Sequence, residues 1–315
     1  MIHLRNVVLT TLVAALFVIF PFMVRSEYLL NLLVMFFLYV TLAESWNLLG
    51  GFAGQISLGH SAFFGIGALI TRLLWVGKIP ISLALFGGGV AAALLAGIVG
   101  IPCLRMRSAY FPIGTLALSM IAQITVGNIF PLAGSLSSEY IVGYSLSSRY
   151  YLALLVAVLT VLVVYQVVNS RKGLALVAIR DDEGAAEAMG VKTFRYKILA
   201  LLISSFLAGL GGGIFAYHQV SYYYYTTFEL SWSFLPTLTT FIGGLGTILG
   251  PIIGSMCFLA LSEIFAISLG EIHILIFGFT FILIVLFLPG GLMSVTQRTH
   301  KFSFKALKKK FFRPL

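Results

Sequence analysis

An all-α, polytopic membrane helix bundle of about eight to ten transmembrane segments is the fold class this sequence predicts. Three observations predict it. The 315-residue chain is 60% hydrophobic and 10% charged, with a mean hydropathy of +1.04, whereas soluble domains carry about 25% charged residues. Apolar runs of the roughly 20 residues that a spanning helix needs recur along the chain. The basic residues between those runs fall into two unequal groups.

Taken in order, the runs lie at roughly 7–24, 28–49, 52–75, 81–101, 110–131, 150–169, 198–218, 232–249, 251–268 and 271–288. Leu4–Val24 reads as a first span, because no small-residue cleavage site separates it from the next run. Segment 232–249, rich in Ser, Thr, Pro and Gly, reads as a broken or re-entrant helix. Ten spans put both termini on one side. That side holds Arg5, Arg105, Arg107, Arg171, Lys172, Arg180, Lys192, Arg195, Lys197 and the basic tail. The other holds Arg25, Lys78 and Arg149. The positive-inside rule makes the first side the cytoplasm. The expected division is a membrane domain at 1–297, with a cytoplasmic loop at 169–197, followed by a basic cytoplasmic tail at 298–315.

The same rule accounts for the net charge of +10 without nucleic acid, since the bases sit at the ends of apolar runs. In the tail, Arg298, Lys301, Lys305, Lys308, Lys309, Lys310 and Arg313 alternate with Phe302, Phe304, Phe311 and Phe312, a pattern suited to anionic lipid headgroups. Residues 132–149 and 219–231 read as outer loops. Tyr222 to Tyr225 in the second are either an interfacial aromatic belt or a contact surface for an extracytoplasmic partner.

No catalytic constellation emerges, so the chain reads as a non-enzyme. Its one Gly-Lys pair, Gly77-Lys78, is followed by Ile79 and lacks the rest of a phosphate-binding loop. Cys103 and Cys257 are isolated, and the five histidines are never at ligand spacing, which predicts no metal site. Glu44 and Glu263 are single acids in apolar runs. The scarcity of such groups argues against an ion-coupled carrier. Glu44 reads either as lying near the cytoplasmic headgroups beside Trp46 and Asn47 or as a gating contact, and Glu263 as packed against another helix.

Two glycine-rich stretches stand out. Gly50–Gly67 reads GGFAGQISLGHSAFFGIG, and Gly54, Ser57 and Ser61 can share one helix face. Gln55, Ser57, His60 and Ser61 supply hydrogen-bonding groups there. The second, GGLGTILGPIIG, contributes Gly243, Gly244 and Gly246. Both fit close helix packing, and both fit the wall of a translocation path.

The only long polar interruption is Asn169–Lys197, with four of the ten acids and six of the twenty bases. Asp181, Asp182 and Glu183 suit a helix N-terminus and Gly190 suits its end. Small residues lie between, and a helix of about two turns is unstable alone in water. It is either an ordinary solvated loop helix or one that docks in a narrow groove.

GGFAGQISLGHSAFFGIGAL, RMRSAYFPIGTLALSMI and GLALVAIRDDEGAAEAMGVKTFRYKILALLISSFLAGLGGGIFA together resemble the permease subunits of ABC importers for branched-chain amino acids, nearest the M-type subunit. The likeness runs from about Leu42 to Gly291. It implies a permease domain of the ABC importer type in a bacterial cytoplasmic (inner) membrane. The implied partners are a second homologous permease, two cytoplasmic ATPases that hold the ATP and Mg, and an extracytoplasmic substrate-binding protein. It also implies that Arg180, Asp181, Asp182, Glu183, Ala185, Ala186, Glu187 and Gly190 form the coupling helix, with Gly184 interrupting the acid-alanine run. A bulky residue at Ala185 or Ala186 is then expected to uncouple transport without harming the membrane fold. The region PLAGSLSSEYIVGYSLSS departs from the family pattern. Urea or short amides, another small polar solute, or a stand-alone secondary carrier are the alternative functions.

Overall fold

The structure, a computed structural model, describes residues 17–21, 26–106, 110–130, 134–135, 145–269, 278–279, 282, 286 and 290–293. Most of the predicted first span (7–24), most of the last (271–288) and the basic tail lie outside these residues. A helical piece at 17–21 precedes α1 (Glu27–Asn47), whose first turn is capped by Ser26. α1 runs into a π-helical turn, Leu48–Phe52. Then come α2 (His60–Val76), α3 (Ile81–Leu104), α4 (Tyr110–Ile129) and α5 (Leu146–Val168). Two short polar-loop helices follow, α6 (Arg171–Asp181) and α7 (Glu183–Ala188). The chain continues with α8 (Thr193–His218), a 3-10 turn (Tyr224–Phe228), α9 (Ser231–Gly243) and α10 (Leu249–Leu269).

This is an all-α membrane bundle. Among the described residues, five helices are long and apolar enough to cross a bilayer: α1 with its π turn, α3, α4, α5 and α8. Exposed Leu83, Phe86, Leu94 and Ile98 on α3, and Ile113, Ile121 and Ile124 on α4, suit a lipid-facing surface. α9 has only thirteen residues and ends at Gly244, whose φ of +135° no other residue adopts readily. At about 1.5 Å per residue it spans about 20 Å, short of a full crossing. This fits the broken-helix expectation for 232–249. The expectation of one helix from residue 52 does not hold, because the chain is non-helical over 53–59 and α2 starts at His60.

Helices α2, α3 and α8 form the closest-packed set. A Cβ at Gly67 would strike the Gly209 carbonyl, and one at Gly212 would strike the Phe64 carbonyl. Small residues let these backbones touch, which substitutes for the hydrophobic drive that lipid cannot supply. Phe64, Trp232 and Phe215 fill the space beside them, with centroids 4.3 Å (Phe64–Trp232) and 4.8 Å (Phe215–Trp232) apart.

α1 is the hub, packed by α5, α8, α9 and α10. Its final turns are therefore covered on all sides, and Glu44 and Asn47 are both 0% exposed. Glu44 is thus enclosed by other helices and not set on the outer surface of the bundle. Glu263 sits half-buried on α10 and accepts a hydrogen bond from the Tyr28 hydroxyl of α1 at 2.8 Å.

At the end of the bundle opposite the polar loop, two buried arginines finish α8. Arg72 Nη1 donates to the carbonyls of Ala216 (2.9 Å) and Gln219 (3.0 Å), and its Nη2 to that of Val220 (3.1 Å). Arg149 Nε donates to Tyr217 O at 2.9 Å and its guanidinium stacks on the Tyr217 ring. The last carbonyls of a helix lack intrahelical partners and carry the negative end of its dipole, so guanidinium groups belong there. At this end Gly134–Ser135 pairs antiparallel with Ser221–Tyr222, joining the two predicted outer loops.

Gly67→Leu is expected to lower the thermal midpoint of the detergent-solubilised protein. Overpacking costs about 1–3 kcal/mol or more where backbone cannot yield. Fluorescence-detected size exclusion after heating measures it.

Candidate functional site

The site is at the polar-loop end. α6 starts at Ser170, whose side chain accepts from Lys172 N at 3.2 Å. Gly173, Leu176 and Ile179 are its buried residues, three apart and hence on one face against the bundle. Asp182 is extended (φ −159°, ψ 109°) and divides α6 from α7. Its Oδ1 accepts from Ala185 N at 2.9 Å, which makes it the N-cap of α7.

α7 closes with a Schellman motif. Val191 N donates to Ala186 O (3.0 Å) and Gly190 N to Glu187 O (2.9 Å). Gly190, at φ +84°, is the left-handed residue that this ending requires. Two side-chain contacts then tie α7 to the foot of α8. Glu183 pairs with the buried Lys197, and Glu187 Oε1 accepts from Thr193 Oγ1 at 2.6 Å. Stripping one partner from a largely buried ammonium is costly, so the Glu183–Lys197 pair fixes the angle of α7.

Of the two central alanines, Ala186 faces the bundle and is 5% exposed, while Ala185 faces out. The two are thus not equivalent, contrary to the expectation that a bulky residue at either would spare the fold. The outer face of α7 carries Gly184, Ala185 and Ala188, followed by Met189 at 86% exposure. Leu174 is exposed on α6 nearby in the chain.

Behind α7 is a cleft of 790 Å³ lined by Gly54, Gln55, Arg105, Arg180, Asp181 and Glu187, among others. Gly54 and Gln55 thus stand with the polar-loop residues. Gly54 has φ +70° and lies in the non-helical 53–59 segment, so the expected helix face shared by Gly54, Ser57 and Ser61 does not form.

Ser57, His60 and Ser61 are fully buried. The Ser57 carbonyl accepts from Trp46 Nε1 at 2.8 Å, and Ser57 Oγ accepts from Gly59 N at 3.2 Å. His60 Nε2 lies 3.0 Å from Ser204 Oγ, whose hydroxyl donates to Ser45 O at 2.6 Å. With its one proton spent there, Ser204 accepts, and His60 Nε2 carries the hydrogen. Ser61 N donates to Ser233 Oγ of α9 at 2.8 Å.

Gly243 ends α9, and Gly244 and Gly246 belong to the α9–α10 connection. Asn47 holds this connection, accepting from Gly246 N (2.9 Å) and donating to Thr247 O (2.8 Å). Asn47, Lys197, Thr115 and Ser204 are the residues that pattern reading passed over. An amide in an apolar run three residues before the Gly50-Gly51 pair was the available signal for Asn47.

The profile of one family, described as the permease component of branched-chain amino acid transport systems, matches residues 28–285. The chain belongs to this family. Two relatives, from Salmonella typhimurium and Escherichia coli K12, are named high-affinity branched-chain amino acid transport system permease protein LivM. Each is 26% identical over 89% of this chain and 73% of its own length. A probable branched-chain amino acid transport permease protein LivM of Methanocaldococcus jannaschii is 23% identical over 83% of this chain and 92% of its own. A solved structure, PsaBC from Streptococcus pneumoniae in complex with Fab, aligns at 16% identity and a TM-score of 0.43 over 81% of this chain and 90% of that one.

In this permease, Asp182→Ala removes the α7 cap at a cost of about 1 kcal/mol. Hydrogen exchange at the amides of residues 184–186 is expected to speed up about fivefold, with α8 protection unchanged.

Proposed function

We propose that this permease is one half of an ATP-driven import path for branched-chain or similar apolar amino acids. In this reading it pairs with a second homologous permease in a bacterial cytoplasmic membrane, with both termini inside. Two cytoplasmic ATPases hold the ATP and Mg, and an extracytoplasmic binding protein delivers substrate. The family and the names of the relatives support the substrate class. The basic residues gathered at the polar-loop end support the orientation.

The observation that carries the coupling role is α7 itself. A six-residue helix is not stable on its own in water. This one is capped at both ends and tied inward by Glu183 and Glu187. Its outward face is left small and apolar, with Met189 as a projecting knob. A rigid, small-residue face suits a narrow groove on an ATPase. Asp181 and Asp182 frame its start and Gly190 its end, while the Arg180 side chain is directed back to Gly51 and stands outside that face. A nucleotide-driven movement at that groove reaches the membrane only if α7 makes different contacts in the two states of the transporter.

The glycine-rich breaks, with Gly54, Gln55, Ser57, His60, Ser61, Gly243, Gly244 and Gly246, are the segments we assign to the translocation path. The buried groups at Ser57, His60 and Ser61 correspond to a closed state of that path in this reading.

Ala185→Trp tests the assignment, since the side chain enters no packed region of this chain. Substrate uptake by the assembled transporter is expected to fall at least tenfold, with an unchanged elution profile and thermal midpoint for the permease. Uptake at the unsubstituted rate would exclude α7 as the docking element.

A further inference from the structure

The Arg180 side chain turns away from the outward face of α7 and lines the cleft toward the end of α1. Its Nη1 donates to Gly51 O at 3.1 Å, inside the π-helical turn that ends α1. Its Nε and Nη2 both reach Asp181 Oδ1, at 3.1 and 3.0 Å. Exposed pairs of this kind stabilise little, so the Asp181 contact serves mainly to aim the guanidinium.

Glycines of the two breaks in the fold close around this one side chain. A Cβ at Gly54 would lie 3.0 Å from Arg180 Cγ, and a Cβ at Gly246 would lie 2.7 Å from Arg180 Nη1. Both glycines also have positive φ, +70° and +69°. Gly51 has no room for a side chain either, since one would meet Asn47 and Gly246 N. Asn47 in turn bonds Gly246 N and Thr247 O, and Thr247 Oγ1 accepts from Gly250 N in the first turn of α10. A chain of contacts therefore leads from the α6–α7 junction to the α9–α10 connection: a hydrogen bond from Arg180 to Gly51, close packing of Gly51 on Asn47 and Gly246, and hydrogen bonds of Asn47 with Gly246 and Thr247.

The geometry points to Arg180 as a positioning residue that transmits movement of α7 to the α1 break and the α9–α10 connection, distinct from the surface that meets the ATPase. This inference rests on the coupling reading of α7. Arg180 lies on the last turn of α6, directly before α7, whereas the side-chain ties of α7 itself, Glu183–Lys197 and Glu187–Thr193, run to α8. Without Arg180, α7 still docks and still moves with α8, but the glycine breaks no longer follow it.

The test uses the complete transporter, reconstituted with its ATPases and binding protein, carrying Arg180→Ala or Arg180→Lys. Lysine keeps the charge and lacks the planar fork that serves Asp181 and Gly51 together. Leucine uptake and ATP hydrolysis are measured in the same vesicles. Both variants are expected to assemble and hydrolyse ATP within twofold of the unsubstituted complex, while substrate moved per ATP falls at least tenfold. An unchanged transport-to-hydrolysis ratio would overturn the inference. So would a parallel fall in both activities, or failure of both variants to assemble, since each marks a merely structural role. Ala185→Trp measured alongside separates the two claims. If it abolishes uptake while the Arg180 variants keep their ratio, the coupling helix stands and the Arg180 linkage fails. If Ala185→Trp has no effect, the coupling reading itself fails.

Discussion

Inside a bilayer every backbone donor and acceptor freed by a helix break needs a partner from the protein. That constraint organises this permease. Its chain breaks helical register at 48–59 and again at 244–248, and both breaks lie at the polar-loop end. The freed groups are met one by one. Trp46 takes the Ser57 carbonyl, Thr115 accepts from Leu58 N, and Ser233 accepts from Ser61 N. Asn47 serves both sides of the α9–α10 connection, and Arg180 serves Gly51. An apolar bundle with these few polar side chains removed would leave unsatisfied amides in a low-dielectric interior, at several kcal/mol each.

The breaks confer a capacity that continuous helices lack. A straight helix packed on its neighbours moves as a rod. A segment such as 53–59 is held by single side chains rather than by a helical ladder, so its course depends on them. The opposite end is built differently. There Arg72 and Arg149 converge on the end of α8, and Gly134–Ser135 pairs with Ser221–Tyr222. The short polar-loop helices thus sit against the end where both breaks lie.

Much of this was legible in the sequence. Hydropathy alone locates α1, α3, α5 and α8 to within a few residues, because about 20 apolar residues have few other uses. Asp182 and Gly190 announce the ends of α7 through capping chemistry that is local. The Ser, Thr, Pro and Gly content of 232–249 announces the shortened α9. What local pattern does not supply is direction. Gly54, Ser57 and Ser61 have helical spacing, yet the π turn before them rotates the chain out of helix. Glu44 looks like a boundary residue by position, and it is enclosed because α1 is surrounded by four other helices. Ala185 and Ala186 are neighbours of one type, and only the fold decides that one faces in. Arg180 carried its charge into the count of basic loop residues, while its guanidinium has a partner 129 positions earlier in the chain.

The central claim is that α7 is where a separate motor meets this permease. Purification of the chain from native membranes in mild detergent, with every co-purifying subunit identified by mass, tests it most directly. The account predicts recovery of a second permease of similar size and of ATPase subunits, the latter lost when Ala185 is replaced by tryptophan. Recovery of this chain by itself, carrying substrate across vesicles with no ATPase present, would contradict it.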